Sequence, residues 1–254
     1  MTHRAVRPTI ALALAALGAA VPLRAQEVTK PAASFTVGLN QDNFFGFYPT
    51  LGGTYGVGKN IDLSFYGILW TIPAFGLGGG GGNLWTEFGV GVRLHAIESR
   101  LLLKPQVGIT NGSLLSGGAA GGASGSAGNG PAVLDGIVPS LTVNYSDPRF
   151  EGEWYSGYYV AARRPEGNTT LDFLHFWANA GVKFATIMSL GAHYEQLRNT
   201  RNSSTGTASN NYRWLGGYLQ FALPMGMSAR FTAGADIEDG NVGDFYKLGV
   251  GMSF

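Results

Sequence analysis

Lys247-Leu248-Gly249-Val250-Gly251-Met252-Ser253-Phe254 is the stretch whose reading decides the fold. Leu248, Val250, Met252 and Phe254 share one face of a strand, and Lys247, Gly249, Gly251 and Ser253 share the other. An uncapped apolar strand ending on an aromatic residue is out of place in a water-soluble fold. It suits the last strand of a closed membrane barrel, which pairs with the first strand and faces lipid on one side.

The same alternation recurs upstream. Strands are expected over 34–41, 47–57, 60–70, 84–95, 101–111, 136–146, 150–162, 171–184, 187–198, 211–223, 227–237 and 244–254. Short connections use turn chemistry or simple brevity: Gly58-Lys59-Asn60, 97–99, Ser146-Asp147-Pro148-Arg149, 185–186 and Pro224-Met225-Gly226. Longer ones alternate with them, over 42–47, 73–83, 113–135, 163–170, 199–210 and 238–243. Short turns at one rim and long loops at the other are the pattern of an outer-membrane barrel. An even strand number puts both termini on the short-turn, periplasmic side.

Facing follows from parity. In 84–95, Leu84, Thr86, Phe88, Val90, Val92 and Leu94 oppose Trp85, Glu87, Gly89, Gly91, Arg93 and His95. In 171–184, Leu174, Phe176, Ala178, Ala180, Val182 and Phe184 oppose Phe173, His175, Trp177, Asn179, Gly181 and Lys183. Charges fall almost wholly on one face, because a charge facing lipid at mid-membrane costs about 2–4 kcal/mol. A soluble sandwich also alternates, but its strands average only about 5–6 residues.

The two ends suggest the same route. His3, Arg4 and Arg7 precede the uncharged stretch 9–21, and Pro22-Leu23-Arg24-Ala25 resembles a cleavage site. Residues 1–25 are therefore expected to be a secretory signal peptide, too short for the ~20-residue span of a membrane helix, and 26–254 the barrel. At the other end, Lys247, Gly249, Met252 and Phe254 resemble the C-terminal signal read by the outer-membrane assembly machinery. The expected partners are outer-membrane lipid, that machinery, periplasmic chaperones and a small solute.

Composition narrows the function. Taking Arg4, Arg7 and Arg24 from 17 basic residues leaves 14 against 16 acidic ones, with no basic patch, so nucleic acid is not an expected partner. Charged residues are 13% of the chain, below the roughly 25% of soluble domains. There is no cysteine, which removes thiol catalysis and Cys-ligated metals. No cofactor and no metal is expected. The run 78–82 is glycine without a P-loop lysine. The low-complexity stretch 117–130 is long enough for its loop to fold inward as a plug.

The expected lumen carries acids (Asp62, Glu87, Glu151, Glu153, Glu195, Asp236) and bases (Arg93, Lys104, Lys183, Arg230, Lys247). It also carries aromatics, Tyr66, Trp85, Tyr155 and Trp177 among them, and the histidines His175 and His193. Such a lining either selects a polar solute or fills the interior with salt bridges. Twelve strands lie between a filled barrel and a wide pore. An aromatic lining can stack on sugars, nucleosides or other ring compounds. A hydrolase would need a serine near His175 or His193, with Ser64, Ser140 and Ser189 as candidates, but no recognisable motif surrounds them. The acidic run Asp236-Ile237-Glu238-Asp239-Gly240-Asn241 with Asp244 departs from EF-hand spacing and reads as a hairpin tip.

Several runs, including Leu84-Trp85-Thr86-Glu87-Phe88-Gly89, Phe150-Glu151-Gly152-Glu153 and Gly191-Ala192-His193-Tyr194-Glu195-Gln196-Leu197-Arg198, resemble an uncharacterised family of Gram-negative outer-membrane proteins. The resemblance implies a barrel and carries over no site. The expectation is an all-β, twelve-strand transmembrane antiparallel barrel acting as a narrow, porin-like channel for small polar or ring-containing solutes. The alternatives are a non-conducting barrel that binds partners through its loops, and an outer-membrane hydrolase.

Overall fold

The computed structural model describes residues 33–71, 84–112, 114–116, 132–164, 169–185, 187–241 and 243–254. The expected leader over 1–25, the glycine run 78–82 and the stretch 117–130 lie outside them.

Twelve antiparallel strands form one closed barrel in simple up-and-down order. They are β1 (Ala33–Asp42), β2 (Gly46–Gly58), β3 (Ile61–Thr71), β4 (Leu84–Ala96), β5 (Leu101–Gly112) and β6 (Ala132–Ser146). The second half comprises β7 (Phe150–Ala161), β8 (Leu171–Ala185), β9 (Met188–Asn202), β10 (Ser209–Ala222), β11 (Met227–Asp236) and β12 (Asp244–Ser253). The closing seam pairs Thr36 with Ser253 through Asp42 with Lys247. The backbone N–H and C=O of Phe35 and Phe254 exchange hydrogen bonds of 2.8 and 3.0 Å beyond it. Closure leaves no sheet edge, as a strand in lipid requires.

The burial pattern is inverted relative to a soluble sandwich. Val90 is 67% exposed and Phe254 64%, while Glu87 and Glu195 are fully buried. Phe35, Val107, Phe150, Trp154, Val182 and Phe231 continue the outer apolar belt. Such a surface is stable only against lipid.

Glycine allows inner side chains to lie flat on the wall. A Cβ on Gly89 or Gly108 would come within 2.2 or 2.3 Å of Tyr66, and one on Gly181 or Gly191 within 2.1 or 2.4 Å of Tyr218.

Three boundaries differ from expectation. β6 begins at Ala132, and β9 runs on to Asn202. The polar tract at the end of β9 reads as loop, yet it pairs with the start of β8, Leu171 with Asn202 and Asp172 with Arg201. Arg201 Nε and Nη2 donate to Asp172 at 2.5 and 2.8 Å across β8 and β9. The β1–β2 connection is not a long loop but a three-residue turn, 43–45.

Short turns carry their own chemistry. Asp147 between β6 and β7 accepts from Tyr145 Oη (2.7 Å) and from the N–H groups of Phe150 and Arg149 (both 2.6 Å). These bonds hold its carboxyl down at about 2, the tyrosine bond contributing most.

Candidate functional site: a lumen in two tiers

The half of the lumen towards the long loops is packed. The β1–β2 turn tips inward. Asp42 Oδ1 accepts from the N–H of Phe44 (2.9 Å) and Phe45 (2.6 Å). Asn43 ties the turn to the Asp244 carbonyl and the Tyr246 N–H. Phe45 thereby lies 4.5 Å from Trp70 and 5.7 Å from His175, ring centre to ring centre, and Phe44 lies 4.8 Å from Tyr212. Trp70 stacks on Trp85, and Tyr212 on Trp214, which stacks on Phe245. Leu115, from the β5–β6 connection, joins this cluster fully buried.

Two glutamates sit inside this packing. Glu87 accepts from Tyr66 Oη (2.7 Å), Tyr159 Oη (3.0 Å) and Trp70 Nε1 (3.1 Å). Glu195 takes Tyr212 Oη at 2.8 Å, His175 Nε2 at 2.9 Å and the Lys247 ammonium, with His193 Nε2 at 3.3 Å. A buried carboxylate costs several kcal/mol in lost hydration, and only several such donors together offset it. These residues are structural anchors for the packed tier.

The half towards the short turns is open. A cavity of about 600 Å³ lies there. Tyr66, Arg93, Lys104, Glu153, Tyr155, Trp177 and Arg230 surround it, and His175, His193 and Lys247 border it from the packed side. Tyr155 and Trp177 stack at 4.0 Å, and Trp177 Nε1 donates to Glu153 (2.9 Å), as does Arg230 Nη1 (3.1 Å).

The remaining candidates lie elsewhere. Trp85, Glu87 and Glu195 belong to the packed tier. Asp62 accepts from Arg93 Nε (2.6 Å) and His95 Nε2 (2.8 Å). Glu151 accepts from Ser189 (2.7 Å) and Tyr218 (2.8 Å). Lys183 bonds Ser146 Oγ and the Asp147 carbonyl at the short-turn rim. Asp236 pairs with the inward-facing Trp214 at the long-loop rim, away from the cavity, where it accepts from the N–H of Arg213 and Glu238 and from Asn241 Nδ2 and so shapes the β11–β12 turn. Of the four C-terminal signal positions, Lys247 and Gly249 face inward at the cavity, and Met252 and Phe254 are exposed outside.

Neither central histidine bonds a serine among the described residues. A serine does meet a histidine at the short-turn rim: Ser99 Oγ is 3.2 Å from His95 Nδ1, whose Nε2 faces Asp62. Sequence reasoning missed this group because Ser99 lies in a turn, held at φ +65°. It also missed Phe44, Phe45 and Leu115, whose apolar character inside connections was the only available signal.

A closed barrel with an apolar coat and a polar, partly open interior is the architecture of a membrane β-barrel. The chain belongs to DUF6733, a family of unknown function, which matches residues 2–254. No curated protein has a matching sequence. Among solved structures, the chain is similar to an outer membrane channel from Pseudomonas putida F1, with a TM-score of 0.55 and 12% identity over 88% of this chain and 96% of that one. It is also similar to the NanC porin, with a TM-score of 0.50 and 8% identity over 86% and 98%. At such identities the likeness is one of fold.

Proposed function

We propose that the chain is a narrow channel in the outer membrane of a Gram-negative bacterium, passing small polar solutes, with the packed tier as its closed gate. The observation that carries this is the charged cavity of about 600 Å³ inside a lipid-facing barrel, blocked along its axis by a three-residue turn. The fold it shares with an outer membrane channel and a porin adds support. The exposed Phe254 and Met252 suit delivery by periplasmic chaperones and insertion by the barrel assembly machinery. The test is single-channel recording in planar bilayers. Wild type is expected to open rarely, and a variant with Phe44→Gly and Phe45→Gly to open often. A folded variant as silent as wild type would favour a non-conducting barrel that acts through its loops.

One observation favours a second reading. With Asp62 accepting from His95 Nε2, His95 Nδ1 is left to accept the Ser99 proton, the arrangement a nucleophilic serine needs. Covalent labelling of Ser99 by a fluorophosphonate, lost in His95→Ala, would support a rim hydrolase. Absence of labelling would remove it.

A further inference from the structure

The open tier holds more cations than carboxylates. Arg93, Lys104, Arg230 and Lys247 border the cavity, and Glu153 is the one carboxylate among the described residues that does. Every nearby carboxylate is already engaged: Asp62 by Arg93 and His95, Glu153 by Trp177 and Arg230, Glu195 by Lys247, His175 and Tyr212, and Glu151 by two hydroxyls. Lys104 is different. It is half-buried, and among the described residues it has no hydrogen bond and no ion pair within 4 Å.

Register places its surroundings. Lys104 pairs with Thr142, Thr142 with Tyr155, and Tyr155 with Trp177, so an ammonium, a hydroxyl and two stacked rings follow one another along a row of the wall. Gln106 and Ser140 pair with each other one step along the same two strands and also border the cavity. Glu153 acts on Lys104 only through space, and a half-buried ammonium that no carboxylate contacts is unfavourable, while a low-dielectric wall strengthens its pull on any anion that reaches it. The cavity volume is that of a small-molecule site.

We infer that the open tier binds a small hydroxylated organic acid, its carboxylate on Lys104 between Arg93 and Arg230 and its hydroxyls on Gln106, Ser140 and Thr142. This deepens the channel reading by naming the class of solute, and it requires only that the cavity be reached from the short-turn side. Lys104 is the specificity-determining group, because the other cations keep their carboxylate partners.

The test titrates the refolded barrel, in detergent at fixed ionic strength, with D-gluconate and with the neutral polyol D-glucitol. Binding is read by calorimetry and by tryptophan fluorescence, since Trp177 borders the cavity. Gluconate is expected to bind at least about tenfold more tightly than glucitol, as one charge-assisted hydrogen bond predicts. Lys104→Met should remove that preference and Lys104→Arg should retain it. Equal binding of the two ligands by wild type overturns the inference without any variant, as does a Lys104→Met protein that still prefers gluconate. A barrel that prefers gluconate yet never conducts keeps the site and removes the channel. One that conducts without preference does the reverse.

Discussion

The two halves of the lumen draw on the same kinds of residue and end in opposite states. Towards the long loops, aromatic rings and buried carboxylates leave no room for water around Glu87 and Glu195. Towards the short turns, Arg93, Lys104, Tyr155 and Arg230 are as large, yet they surround a cavity. Side-chain size is not what separates the halves. Eight strands leave an interior that wall side chains can fill, and twelve leave a wider one. Filling it takes something on the axis. The long-loop end supplies Phe44 and Phe45 from one turn and Leu115 from another connection. The connections at the other end, such as 147–149, are too short to reach in.

Glu195→Leu breaks the comparison hardest. It leaves the Lys247 ammonium without its carboxylate, and truncating one partner of a buried pair costs about 3–5 kcal/mol. Urea unfolding of the refolded barrel, followed by fluorescence, should show that loss. A smaller loss than in Lys104→Met would mean the packed tier is not held by its carboxylates.

Phe45→Ala should cost about 3 kcal/mol, the low end for a buried phenylalanine because a turn can relax into the space. Under the proposed channel function it should also raise the open time. Tyr159→Phe removes one of three donors to Glu87 and should cost about 1–3 kcal/mol. Lys104→Met should change stability by no more than about 0.5 kcal/mol, because it breaks no described contact. A larger change would make the open tier structural too.

The smallest effect is one of pH. The carboxyl of Asp147 is lowered from 3.8 to about 2 in the folded chain. Its contribution is therefore complete above the unfolded value and fades as pH falls from about 5 towards 2. Asp147→Asn should flatten the acid limb of stability in that window. An unchanged acid limb would show that the β6–β7 turn does not depend on the charge.

Most of the wall was legible in the sequence. Leu84 to His95 alternates so strictly that side and strand follow together, because a lipid-facing charge is too costly to tolerate. The limits of β9 were not, since Asn199 to Asn202 carries loop residues that pair once β8 stands beside them. Glu87, Glu153 and Glu195 looked alike as inward acids. Which of them lost all contact with water depended on residues from distant strands: Tyr159 for Glu87, Lys247 for Glu195.

By itself, then, the sequence determined the class of fold, the number of strands and the face on which each side chain lies. All three follow from a period of two repeated against lipid, a rule that needs only neighbours in the chain. The tertiary structure alone decided which half of the lumen is filled, that a three-residue turn fills it, and that Lys104 is the cation at the cavity which no described carboxylate contacts. Those outcomes depend on what meets across the barrel axis, where residues from distant strands come together only once the sheet has closed.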